Sequence, residues 1–176
     1  MSPALADLDT ELSSHREALE AFIASIESLD HTALSSQPAA GKWSPAQVAE
    51  HLRLTYVTVS EELEGQGGFR VRTKWWQQRL LRFRYLRQIL GQGRFPRGVP
   101  ATREIRPGDG PFERTAVIAA LRAEAARFLR LVPIVAQQAG VCVTHPFLGK
   151  VSLLQGIRFT TQHIRHHHQQ VLPQRA

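Results

Sequence analysis

The sequence predicts an all-α protein: a four-helix bundle with a basic helical excursion between its second and third helices. Three observations carry this prediction. Four long segments repeat apolar side chains at helical spacing. Clusters of glycine, proline and serine separate them. No segment alternates apolar and polar residues as a half-buried strand does, and Val141–Thr144 is too short to change the class.

The first helix is expected over residues 4–30, where Leu5, Leu8, Leu12, Leu19, Phe22, Ile23, Ile26 and Leu29 recur on one face. Residues 31–43, with Ser35, Ser36, Pro38 and Gly41, read as a loop. Ser44-Pro45-Ala46-Gln47 is a strong helix start: Ser44 caps, Pro45 suits the first helical position, and Gln47 completes a capping box. That second helix runs through Val48, Leu52, Tyr56, Val59 and Leu63 to about Glu64, where Gly65, Gly67 and Gly68 stop it. Residues 74–90 read as the helical excursion, and residues 91–111, rich in glycine and proline, as a long connection. Pro111 opens a third helix over 112–138 through Val117, Leu121, Phe128 and Leu131, which Pro133 should kink or end early. After a loop over 139–149, the last helix runs from Lys150 to Leu172 and stops at Pro173.

A chain of 176 residues, 43 % apolar and 21 % charged, fits one domain with a real core. Nothing approaches a membrane span. Met1 to Leu12 carries Asp7, Asp9 and Glu11 and no basic head before an apolar run, so no signal peptide is expected and a cytoplasmic setting is. Cys142, between Val141 and Val143, is the single cysteine, which excludes an intrachain disulfide and a cysteine-based zinc site.

The net charge of +7 is local. Residues 68–107 hold eleven basic side chains (Arg70, Arg72, Lys74, Arg79, Arg82, Arg84, Arg87, Arg94, Arg97, Arg103 and Arg106) against Glu104 alone, while the rest has eleven basic and fourteen acidic residues. Such a segment suits nucleic acid, a membrane surface or an anionic small molecule.

The histidines carry the chemistry. Four of the eight lie in His163-Ile164-Arg165-His166-His167-His168. His163 and His167 are four apart, so a helix stacks them on one face, where two imidazoles can share a metal. His166 can replace His167 in that pair, and His168 points further round. A solvated histidine-rich face is the alternative. His51 stands among Val48, Leu52, Thr55 and Val59 on the core side of the second helix, where a lone histidine is more often a hydrogen-bonded core residue, but bundle cores are also where facing helices build metal sites. Three neutral imidazoles leave a fourth position open, the pattern of a catalytic zinc site rather than a structural one. Gln170, one turn past His167, can orient a ligand or water, or be a surface residue. Glu50 points to another face than His51, and His145 before Pro146 is expected to pack or cap its loop.

Trp43-Ser44-Pro45-Ala46-Gln47-Val48-Ala49-Glu50-His51-Leu52 resembles the W-S-x-x-E/Q-V/I-x-x-H-L signature of the DinB/YfiT-like superfamily. His145-Pro146-Phe147-Leu148-Gly149 resembles its H-P-x-x-G segment, and His163-x-x-x-His167-x-x-Gln170-Val171 its closing H-x-x-x-H-x-x-Q-I/V pattern. The resemblance implies a four-helix bundle in which His51, His163 and His167 bind nickel, zinc or a similar ion. It also implies activities such as thiol-dependent S-transfer or hydrolysis. The 68–107 segment departs from the family pattern.

Three functions follow. The first is a metal-dependent enzyme, with the ion activating a low-molecular-weight thiol or water toward a small electrophile. A non-catalytic metal-binding stress protein shares that site. The second is a nucleic-acid module, in which Trp75, Trp76, Phe83, Tyr85 and Phe95 interleave with the arginines; it ranks lower, because the two tryptophans are expected to anchor the excursion on the bundle. The third places the basic helix on a membrane or in a homodimer interface. The preferred target of one or two of the arginines is the carboxylate of a thiol cosubstrate. All three proposed ligands lie outside 68–107, so that segment is not expected to be needed for metal binding.

Overall fold

The computed structural model of the chain describes residues 3–96 and 98–172; Arg97 and Pro173 lie outside the described residues. Its element order is α1 (Pro3–Ser28), α2 (His31–Ser35), α3 (Pro45–Leu63), α4 (Trp75–Leu81), a π turn (Arg82–Leu86), α5 (Arg87–Gln92), a 3-10 turn (Arg103–Ile105), α6 (Arg114–Val135), β1 (Cys142–His145), β2 (Gly149–Ser152) and α7 (Leu153–Val171). The chain is mostly helical. Four long helices carry the structure: α1 lies along α7 and α3 along α6. Leu8, Leu12, Leu19, Phe22, Ile23 and Ile26 of α1 meet Ala49, Leu52, Leu121, Phe128, Ile157 and Ile164 in one core.

Local chemistry sets the ends. The Ser44 hydroxyl accepts from the Gln47 N–H, and the Gln47 side chain accepts from the Ser44 N–H, so α3 begins as the sequence predicts. α1 ends two residues earlier than predicted, because Asp30 caps a further short helix. Its carboxylate accepts from the Ala33 N–H at 2.7 Å, and α2 buries Leu34 where a loop was expected. α6 is shorter than predicted at both ends and stops two residues after Pro133, whose ring nitrogen cannot donate to the preceding turn.

Two expectations are corrected. Residues 142–152 form an antiparallel hairpin pairing Val143 with Val151 and His145 with Gly149. The last helix therefore starts at Leu153, not Lys150. Ser152 builds a second capping box with Gln155, which fixes that start. Gly156 lets α7 sit against the hairpin, since a Cβ there would collide with Val143.

The tryptophans do not anchor the excursion either: Trp75 is 71 % and Trp76 51 % exposed. Leu86 and Ile89 are buried, and Leu81 and Leu90 pack partly against the core. Continued at about 100° per residue, Trp75 would fall on the same side as Leu86 and Ile89. The π turn accommodates one extra residue at Arg82–Leu86 and breaks that phase. Among the described residues no helix is long and apolar enough to cross a membrane.

Candidate metal centre

The capping box at Ser44 sets the phase of α3, and two turns on that phase delivers His51 into the interior, 2 % exposed. From α7, His163 and His167 stack one turn apart, as their spacing requires. The three imidazoles converge. His51 Nε2 is 3.2 Å from His163 Nε2, and His167 Nε2 is 3.0 Å from the same atom. Two nitrogens bound to one tetrahedral ion at about 2.05 Å lie about 3.3 Å apart, so this spacing is close to that of a ligand set. The three histidines form a group that can hold a metal ion.

The outer ring nitrogens decide where the lone pairs point. His51 Nδ1 is 2.7 Å from the carbonyl of Ile105, which can only accept. His51 therefore donates there, and its Nε2 presents a lone pair to the centre. His167 Nδ1 faces Gln170 Oε1 at 2.8 Å, and its Nε2 is likewise turned inward as an acceptor. Two lone pairs thus meet at His163 Nε2, whose ring has at most one N–H there to share between them. A cation between the three would satisfy all of them.

Burial keeps these rings neutral. It lowers the pKa of His51 to about 4. Burial, with repulsion from the facing His51, lowers His167 to about 3. His163 is held well below its ordinary value by burial first and then by His167 and His51. Neutral imidazole is the form that ligates a metal.

The surroundings are aromatic. Trp43, just before the α3 cap, lies 4.8 Å from the His51 ring. Phe95 lies 5.8 Å from His163 and 5.0 Å from His166, and Phe159 is 6.3 Å from His163. The 68–107 segment therefore takes part in the centre through the Ile105 carbonyl and Phe95. The segment is expected to be dispensable for metal binding; in the structure its Ile105 carbonyl and Phe95 contact the histidines. Sequence reading missed both; a backbone carbonyl leaves no signal in residue types.

The remaining candidates sort cleanly. Gln170 is exposed yet bridges two histidines, its Nε2 donating to His166 at 3.0 Å. His166 faces Gln170 and Phe95, and His168 Nε2 meets the Ser25 hydroxyl at 2.7 Å, turned toward α1. Glu50 binds Arg53 at 2.7 Å through both oxygens, away from the histidines. His145 Nδ1 accepts from the N–H groups of Phe147 and Leu148, capping the hairpin turn as expected. Cys142 is exposed on β1 despite its valine neighbours.

His15 went unnoticed in the sequence. It is fully buried, with Nδ1 3.0 Å from the Thr161 hydroxyl and Nε2 2.7 Å from the Tyr56 hydroxyl. Thr161 gives its own proton to the Ile157 carbonyl, so His15 donates to Thr161 and accepts from Tyr56. The signal was available: Leu8, Leu12, His15 and Leu19 share one helical stripe.

Compared with known protein families, residues 11–171 match the model of the DinB superfamily. No curated protein and no solved structure matches the chain.

Proposed function

The chain belongs to the DinB superfamily, and on that premise we propose that it is a metal-dependent enzyme in which His51, His163 and His167 hold one divalent ion, zinc or nickel. The reaction proposed is attack of a low-molecular-weight thiol, or of water, on a small electrophile. The observation that carries this reading is the convergence of three neutral imidazoles on one point, with His51 and His167 turned by outer partners.

His51, His163 and His167 would hold the ion as neutral ligands, and the ion would supply the acidity that makes a thiolate or hydroxide available at neutral pH. The chain supplies the rest. The Ile105 carbonyl and Gln170 fix the ring orientations of His51 and His167. Trp43, Phe95 and Phe159 line the histidines with aromatic surface, which limits water and suits an apolar portion of a substrate. Arginines of the same segment that carries Phe95 offer paired donors for a cosubstrate carboxylate. No side-chain nucleophile is required.

The test is elemental analysis of untagged protein, followed by a screen of thiols against small electrophiles with the metal bound. Activity should survive Cys142→Ala and vanish with His163→Ala or on chelation. Tight metal binding without any exchangeable position would leave a metal-binding protein and remove the enzyme. Protein that stays metal-free with added zinc and nickel would remove both.

A further inference from the structure

The outer face of the helical excursion is built for contact, and the histidine centre does not use it. Leu86 and Ile89 hold the excursion to the bundle. Facing outward, Trp76, Leu80 and Phe83 follow the i, i+4, i+7 spacing and are 51, 61 and 86 % exposed, with Trp75 beside them. A single exposed apolar side chain is ordinary, but four within three turns form a patch that a soluble surface does not need. Arg79, Arg84 and Arg87 are exposed around this strip. Arg72 pairs with Glu104, but the ion pairs among the described residues include no basic side chain from Lys74 to Arg94. Residues 65–103 contain ten basic side chains and no acidic one.

We infer that this face docks on the surface of an anionic lipid bilayer. The helix lies in the interface plane, with Trp76, Leu80 and Phe83 entering the headgroup–acyl boundary and the arginines reaching the phosphates. An apolar pole bordered by cations is the arrangement that binds this way. Charge complementarity selects the occupant. A second copy on a two-fold axis would set the same uncompensated arginines against each other. Nucleic acid would meet an apolar pole instead of cations, and Leu80 has no ring on which a base can stack. Contact is peripheral, since no described helix is long and apolar enough to cross a membrane.

The experiment uses the full chain with vesicles of phosphatidylglycerol and phosphatidylcholine in equal parts, and with phosphatidylcholine alone. The protein should co-sediment with the first and not the second, and its tryptophan emission should move to shorter wavelength. Replacing Arg79, Arg84 and Arg87 by serine should weaken association about 100-fold, at the usual contribution of each cation near an anionic surface. Replacing Trp76, Leu80 and Phe83 by serine should abolish both binding and the emission shift. Thermal unfolding followed by circular dichroism checks the fold of each variant, and Phe83→Ser alone serves if the triple variant is unstable. The inference is overturned by no association with the anionic vesicles, by apolar variants that bind as the parent does, or by duplex DNA that binds more tightly than the vesicles.

Discussion

His15→Leu separates two roles of the buried triad because its cost should depend on pH. At pH 8 the leucine fills much of the same space but leaves the Tyr56 hydroxyl, now 2.7 Å from His15 Nε2, without its acceptor. An orphaned buried donor costs about 1–3 kcal/mol. In acid the parent carries its own penalty. Burial, reinforced by the nearby Arg16 charge, lowers the folded pKa of His15 to about 4, against 6.5 in its absence. Between those values the unfolded chain binds more protons than the folded one, so stability falls as pH drops from 6.5 to 4 and is fully present above 6.5. At pH 5 the loss from this one group is about 1.5 pH units at 1.36 kcal/mol each, or about 2 kcal/mol. The leucine variant has no such term. Its deficit relative to the parent should therefore shrink by about 2 kcal/mol between pH 8 and pH 5. Urea unfolding of both proteins, metal-free in chelator, measures this, and the histidines they share cancel in the difference. A deficit equal at the two pH values would refute the buried, neutral assignment of His15.

Three further outcomes test the centre. His51→Ala should abolish tight binding of zinc or nickel, while His168→Ala, whose ring meets Ser25 instead, should leave it nearly intact; titration calorimetry distinguishes them. Gln170→Ala removes the partner that turns His167, together with its contact to His166, and should weaken metal binding about 10–100-fold without abolishing it. Serine in place of Arg79, Arg82 and Arg84 should leave metal content unchanged by elemental analysis, since none of the three contacts a histidine of the centre.

Long, regular features were legible in the sequence, and short or backbone-borne ones were not. Apolar repeats over many turns located the four long helices, and the Ser44 box located the start of α3 to the residue. Ser152 and Gln155 carry the same box, which sets the start of α7 at Leu153 rather than at Lys150. Four-residue strands offer too few positions for alternation to show, although Val143 and Val151 both bury their side chains. The excursion failed for a different reason. Its inward residues keep no constant period, because a π turn lies between Leu81 and Leu86. Trp75, which a continuous α-helix would place beside Leu86 and Ile89, is instead exposed.

The centre itself divides along the same line. His51, His163 and His167 could be found because a helix fixes which side chains share a face, and two faces were enough to name three candidate ligands. What orients them comes from outside those helices or across their turns. The Ile105 carbonyl reaches His51 from 54 residues away in sequence, through a short 3-10 turn that nothing in the composition marks. That contact ties the basic segment to the histidine centre: the chain that carries the arginines also sets the tautomer of a candidate ligand. A perturbation that displaces residues 103–105 should consequently disturb His51, although it touches no side chain of the histidine centre. By the same logic, arginine substitutions on the outer face of the excursion should leave the centre alone, because the buried Leu86 and Ile89 remain to hold that helix in place. The segment thus has two separable halves, one facing outward through its side chains and one facing the histidines through its backbone and Phe95.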